Sequence, residues 1–96
     1  MRRDVALRIL SEHREQIQSL GADWLAIFGS VARDEAGPDS DVDILVEFSV
    51  PIGLFGYIRL KQYLEQVLGR PVDLATIDAI REPMRERVLR DAVRAA

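Results

Sequence analysis

The chain has 96 residues, of which 48% are hydrophobic and 30% are charged, and its net charge is -3. These values are typical of one soluble globular domain over residues 1–96, with a single hydrophobic core. The slightly acidic balance argues against direct nucleic-acid binding, because a polyanion needs a basic surface. The chain has no cysteine, which excludes disulfides and thiolate metal sites, and it shows no signal-peptide or membrane-spanning pattern. We therefore expect a cytoplasmic protein that does not interact with membranes.

The first half of the chain predicts two helices, two strands and one polar loop. Apolar residues at helical spacing predict a helix over residues 2–20. A short apolar run predicts a strand over 24–28, and a brief helix over 30–36 follows it. Turn-forming residues over 34–40 predict an exposed loop. The run over 41–48 alternates with the period of two that is typical of a strand.

The second half predicts a helix over 54–68, a strand over 72–76 and a helical tail from about residue 78. With the first half, these elements indicate the α/β class. We expect a small mixed sheet of three or more strands with helices packed on one face. The tail should bury an apolar stripe that consists of Ile80, Met84, Val88, Leu89 and Ala92.

Two aspartates at the head of the strand over 41–48 are the most informative feature of the sequence. Asp41 and Asp43 are one residue apart, and side chains at that spacing point to the same face of a strand. Two nearby carboxylates repel each other, and a hard divalent cation relieves the repulsion. Mg²⁺ typically takes one or two protein carboxylates and completes its shell with water and substrate phosphate. The pair therefore predicts a Mg²⁺ site.

A Gly29-Ser30 step lies about a dozen residues before the aspartates, where the first strand turns into the brief helix. A phosphate group at such a turn can meet free backbone N–H groups and the positive end of the helix. Metal-binding carboxylates beside a phosphate-binding turn indicate a nucleotidyl-transfer site.

Asp73 adds a third carboxylate if its strand lies beside the strand over 41–48. Its neighbours Val72 and Leu74 then point to one face and Asp73 to the other. Three carboxylates can hold two metal ions roughly 3.5–4 Å apart. Asp73 could instead act as a general base that removes a proton from an attacking hydroxyl. The sequence leaves both roles open.

Arg33 is a further candidate for nucleotide binding, because a guanidinium binds oxyanions through two parallel hydrogen bonds. It could equally contact the acceptor protein. The alternative is a structural salt bridge with Asp34, Glu35 or another acid, and the sequence does not decide between these roles.

The order of strand, Gly-Ser step, short helix, polar loop and Asp-x-Asp resembles the signature of the DNA polymerase β-type nucleotidyltransferase superfamily. The residues that carry the resemblance are GSVAR at 29–33 and SDVD at 40–43. The chain is most similar to the minimal nucleotidyltransferase (MNT) family of prokaryotes, and GRPVDL at 69–74 and the arginine-rich tail extend the similarity. The resemblance implies the nucleotidyltransferase fold.

The resemblance also implies roles for single residues. Gly29 and Ser30 would contact the triphosphate of ATP, Asp41 and Asp43 would hold Mg²⁺, and Asp73 would be the third catalytic and metal-binding carboxylate. All three acidic positions are filled in this sequence. The resemblance therefore implies an active enzyme.

The partner that the resemblance implies is a HEPN-domain toxin, an RNase that the MNT protein silences by transferring AMP from ATP to a tyrosine. The chain has no room for a substrate domain, so we expect a protein acceptor. Two alternatives remain open at this stage. The protein could be a non-catalytic antitoxin that neutralises the toxin by binding, or a small-molecule nucleotidyltransferase that a separate subunit completes.

Overall fold

The computed structural model of the protein describes residues 1–96. It contains a mixed sheet, helices on both of its faces, and a 3₁₀ turn over Ile77–Ala79. In chain order the helices and strands are α1 (Arg3–Glu12), α2 (Arg14–Ser19), β1 (Ala22–Phe28), α3 (Gly29–Ala32), β2 (Val42–Phe48), α4 (Leu54–Leu68), β3 (Val72–Thr76), α5 (Met84–Asp91) and β4 (Val93–Arg94).

The four strands lie in the order β3-β2-β1-β4. β1 is antiparallel to both of its neighbours, whereas β2 and β3 are parallel. Parallel strands need a crossover connection, and α4 provides it. The predicted α/β class with a small mixed sheet is confirmed, as are the helix over 54–68 and the strand over 72–76.

The main core lies between one face of the sheet and the helices α1, α2 and α4. The strands contribute their alternate apolar residues to it, as the period of two predicts. None of the helices combines the length and the apolar character that crossing a lipid bilayer requires. The largest fully buried side chains of this core include Leu10, Ile17, Leu25, Ile27, Ile44, Leu60 and Leu64.

The last helix departs from the prediction that the helices cover one face. Val88 of α5 packs against Leu45 of β2 and Ala26 of β1 on the opposite face, because that face also carries apolar residues that need cover. Only Val88 of α5 is buried. The predicted buried stripe is wrong at Met84 and Leu89, whose exposed fractions are 57% and 48%.

The predicted first helix is interrupted at His13, which separates α1 from α2. The Nδ1 atom of His13 donates a hydrogen bond to the carbonyl oxygen of Ile9 at 2.8 Å. That oxygen would accept the backbone N–H of His13 in a continuous helix. A side chain that inserts into the backbone ladder in this way is a known cause of a helix break.

The short strand β4 was not predicted, because two residues are too few to show a period. Val93 and Arg94 pair with Ile27 and Ala26. The following backbone continues the pairing, since the N–H of Ala95 donates to the carbonyl of Leu25 at 2.8 Å. β4 therefore covers the edge of β1 and leaves β3 as the exposed edge on the other side.

Candidate active site

The candidate site lies where β1 ends and where β2 and β3 begin. Phe28, the last residue of β1, pairs with Asp43 of β2. Asp43 in turn pairs with Asp73 of β3 in the parallel register. Register partners point to the same face of a sheet and their strands are about 4.8 Å apart. The structure thus brings Asp43 and Asp73 together, as predicted. Asp41 lies one residue before β2, which begins at Val42 and not at residue 41 as predicted.

Gly29 lies directly against Asp43. It adopts a left-handed conformation with φ +68°, which residues with a Cβ adopt only at a cost. A Cβ at this position would overlap Oδ2 of Asp43 and would lie 3.1 Å from its Cγ. Both the backbone conformation and the close approach of the carboxylate therefore require glycine. The Gly-Ser step and the aspartates form one unit.

The carboxyl group of Asp43 has a raised pKa. Partial burial is the largest cause, and repulsion from the negative charges of Asp73 and Asp41 adds to it. The positive charge of Arg33 opposes these effects and lowers the pKa. Asp43 is therefore a partly desolvated carboxylate among like charges, which is the electrostatic situation that a bound cation relieves.

Asp43→Asn is expected to raise the stability of the fold near neutral pH. Because the pKa of Asp43 is raised in the folded state, its protonated carboxyl contributes favourably to the free energy of unfolding. This contribution is complete below the unfolded pKa of about 3.9. That contribution is lost as the pH rises through the raised folded-state pKa, whereas asparagine does not titrate. Thermal unfolding across this pH range should show a Tm that falls less for the variant than for the parent. Parallel Tm profiles would show that the pKa of Asp43 is not raised in the folded protein.

No three His, Asp or Glu side chains in this structure stand close enough together to hold a metal ion. The chemistry of the set of Asp41, Asp43 and Asp73 nevertheless fits a hard divalent cation, because all its donors are carboxylate oxygens. Because Gly29 has no Cβ, the carboxylate of Asp43 can occupy the space beside it.

The segment that carries Ser30 is anchored to the first helix. Asp34 has φ +60°, a left-handed conformation that aspartate tolerates better than most residues. Its Oδ1 accepts the backbone N–H of Arg3 at 2.9 Å, and the Arg3 side chain donates to the carbonyl of Ala32 at 3.2 Å. The N–H of Glu35 donates to the carbonyl of Ser30 at 2.8 Å. These contacts fix the short helix beside the carboxylates.

Arg33 makes two ion pairs in the structure. Its Nε lies 3.1 Å from Oε2 of Glu35, and its Nη1 lies 3.0 Å from Oδ2 of Asp91. The hydrogen bonds to Glu35 and Asp91 raise the pKa of the guanidinium. The predicted salt bridge is therefore present. The effect of Arg33 on the pKa of Asp43 also puts its charge within electrostatic reach of the candidate site.

Sequence reasoning missed Arg70, which braces the site from the loop before β3. Its Nη2 donates to the carbonyl of Ser40 at 3.0 Å and to that of Gly37 at 3.4 Å. It thereby ties the loop in front of Asp41 to the strand of Asp73. No local pattern marks this role, because the contact with Ser40 spans 30 residues of chain.

A Gly-Ser turn beside an Asp-x-Asp strand, with a third aspartate on the parallel neighbour, makes this chain a nucleotidyltransferase in fold and in arrangement. Comparison with known families agrees. The chain belongs to the nucleotidyltransferase domain family, whose profile matches residues 8–96.

Individual relatives narrow the comparison. The protein adenylyltransferase MntA of Thermococcus cleftensis is 40% identical over 86 residues, which are 88% of this chain and 87% of that protein. The solved structure of a candidate minimal nucleotidyltransferase matches this protein with a TM-score of 0.73 at 42% identity. The match covers 91% of this chain and 93% of that chain. The sequence-based assignment to the nucleotidyltransferases is confirmed.

A more distant likeness concerns a complex. The tri-AMPylated HEPN toxin of Shewanella oneidensis with an MNT antitoxin gives a TM-score of 0.65 at 16% identity, over 94% of this chain and 71% of that one. At this identity the likeness shows the fold alone.

Proposed function

We propose that this protein transfers AMP from ATP to a tyrosine of a HEPN-domain partner and thereby silences the partner in the cytoplasm. The name of the Thermococcus relative supports protein adenylylation. The complex of an AMPylated HEPN toxin with an MNT antitoxin supports the class of partner. The observation that carries the proposal is the apposition of Gly29, Asp43 and Asp73 at one end of the sheet.

In this reaction the hydroxyl oxygen of the acceptor tyrosine attacks the α-phosphorus of ATP and forms a new P–O bond. The bond from the α-phosphorus to the oxygen that bridges to the β-phosphate breaks, and pyrophosphate leaves. We assign Asp73 as the group that takes the phenolic proton, because it is exposed and pairs directly with Asp43. Most of the catalysis is positioning and charge neutralisation.

Gly29, Ser30 and Arg33 are proposed to hold the triphosphate. A phosphate at the Gly29-Ser30 turn can meet backbone N–H groups, and Ser30 adds a hydroxyl donor. Asp41 and Asp43 are proposed to hold Mg²⁺, with Asp73 as the third carboxylate of the set. Mg²⁺, when bound, neutralises charge on the phosphates during transfer.

The exposure of the site favours a protein as acceptor. Asp41 and Asp73 are both exposed, and β3 forms an edge of the sheet. A site that opens at an edge is accessible to a tyrosine on the surface of a docked protein. A small-molecule acceptor would need additional cover to be oriented and shielded from water.

The modification would silence an RNase by electrostatics and bulk. AMP on a tyrosine adds a large, negatively charged group. Near the RNase active site, this charge would repel the phosphates of an approaching RNA.

Mass spectrometry of a HEPN partner co-expressed with this protein tests the proposal. We expect the partner to gain the mass of one or more adenylyl groups, located on tyrosine by peptide fragmentation. A partner that is neutralised and bound but keeps its unmodified mass would identify a non-catalytic antitoxin.

Ser30→Ala is expected to weaken the binding of ATP with Mg²⁺ without unfolding the protein. A hydrogen bond to a charged phosphate is worth about 1.5–3 kcal/mol, or about one to two decades in affinity. Backbone contacts remain, so binding should weaken but persist. Calorimetric titration measures the change. Ser19→Ala, which removes a hydroxyl bonded to the carbonyl of Gln16 in α2, is the control, and equal affinities of parent and Ser30→Ala would remove Ser30 from the site.

A further inference from the structure

The ion pair between Arg33 and Asp91 differs from the other ion pairs of the protein. The other three join residues that are two or four positions apart in the chain, whereas this pair joins residues 58 positions apart. It connects the end of α3, beside the candidate site, to the last residue of α5. Both side chains are partly exposed, at 44% and 32%. Such pairs contribute little to stability, but this one gives the guanidinium a second acceptor besides Glu35.

Glu35 and Asp91 accept hydrogen bonds from different nitrogen atoms of the Arg33 guanidinium. Glu35 accepts from Nε at 3.1 Å and Asp91 accepts from Nη1 at 3.0 Å. A guanidinium has five N–H donors in a rigid plane, so about three of them, including both on Nη2, remain for another acceptor. Two acceptors therefore constrain the orientation of the guanidinium and leave donors for an oxyanion.

We infer that Asp91 is a positioning residue of the nucleotide site, which orients Arg33 so that its free N–H groups meet the triphosphate of ATP. This inference rests on the proposed function, in which ATP binds beside Gly29 and Ser30. The physical gain is preorganisation. A long, flexible side chain that is already ordered loses less rotamer entropy when the ligand arrives.

Asp91 also carries a negative charge, which repels the triphosphate directly. A single substitution at Asp91 would mix this repulsion with the effect on Arg33. A double-mutant cycle separates the two effects, because the direct repulsion is present whether or not Arg33 is there. The cycle consists of the parent, Asp91→Ala, Arg33→Gln and the double variant.

We expect Asp91→Ala to weaken the binding of ATP with Mg²⁺ about two- to tenfold more in the parent than in the Arg33→Gln background. This range corresponds to the cost of ordering one long side chain on binding. Calorimetric titration gives the four dissociation constants. In the transfer reaction, Asp91→Ala should raise the KM for ATP more than it lowers kcat, and Asp91→Glu, which keeps the acceptor, should restore part of the affinity.

Glu86→Ala is the matched control. Glu86 is another acid of α5 and is exposed, and its contact is with Arg90 on the same helix, at 3.8 Å. Its loss should leave the affinity for ATP unchanged, and thermal unfolding should show that every variant is folded.

Two results would overturn the inference while leaving the proposed function intact. Equal effects of Asp91→Ala in both backgrounds would show that Asp91 does not act through Arg33. Tighter binding by Asp91→Ala only when Arg33 is present would show that Asp91 competes with the phosphates for the guanidinium. A parent protein that does not bind ATP would remove the proposed function and the inference together.

Discussion

Asp73→Ala is expected to lower the rate of AMP transfer by more than about a hundredfold while leaving partner binding intact. Removing a residue that only hydrogen-bonds to a metal ligand typically lowers metal affinity or activity about ten- to a hundredfold. Removing one of the carboxylates themselves should lower the activity further. The fold should persist because Asp73 is exposed and its loss opens no cavity in the core, so the rest of the surface that contacts the partner should be unchanged. Incorporation of labelled AMP measures the rate, and co-purification measures binding.

Asp78→Ala provides the control for this loss, because it removes an exposed acid from the turn that follows the same strand. It should transfer AMP at the parent rate. If Asp73→Ala neutralises the partner as well as the parent does, with no mass added to the tyrosine, the enzymatic account is wrong. The protein would then act by binding.

Gly29→Ala should damage both the fold and the activity. A residue with a Cβ at φ +68° carries strain of about 1–3 kcal/mol, and this Cβ would also overlap Oδ2 of Asp43. Asp43 must therefore move, and a misplacement of about 1 Å in a catalytic group can cost about a hundredfold in rate. We expect a lower Tm and a transfer rate reduced by about that factor.

Gly69→Ala separates the effect of backbone strain from the effect of the overlap with Asp43. Gly69 has nearly the same left-handed φ, +67°, but a Cβ there would meet no atom within 4 Å. This control should lose stability to a similar strain and keep its activity. Equal activities of Gly29→Ala and Gly69→Ala would show that the contact with Asp43 is not needed for transfer.

The sequence predicted the centre of the candidate site because its geometry follows from strand periodicity. Strand periodicity predicts that Asp41 and Asp43 share a face, although Asp41 lies one residue before β2 in the structure. Asp73 is the register partner of Asp43 because β3 lies beside β2 in parallel. The conformation of Gly29 was foreseeable only in outline, as a turn. The overlap with Asp43 depends on the register of β1 with β2, which no single segment specifies.

The features that the sequence did not predict depend on tertiary contacts. The tail showed helical spacing, but the face of the sheet that α5 covers is decided by Ala26 and Leu45, which lie far away in the sequence. The same distance hides the pairing of Arg33 with Asp91. The strand β4 was missed because its two residues take their conformation from pairing with β1.

The most direct test of the central claim is a time course with a HEPN partner in excess over this protein, in the presence of ATP and Mg²⁺, followed by intact-mass spectrometry. A catalyst turns over, so we predict that all of the partner gains adenylyl mass and loses its RNase activity at substoichiometric amounts of this protein. RNase activity that is lost only when this protein equals or exceeds the partner, with no change in the partner's mass, would contradict the account.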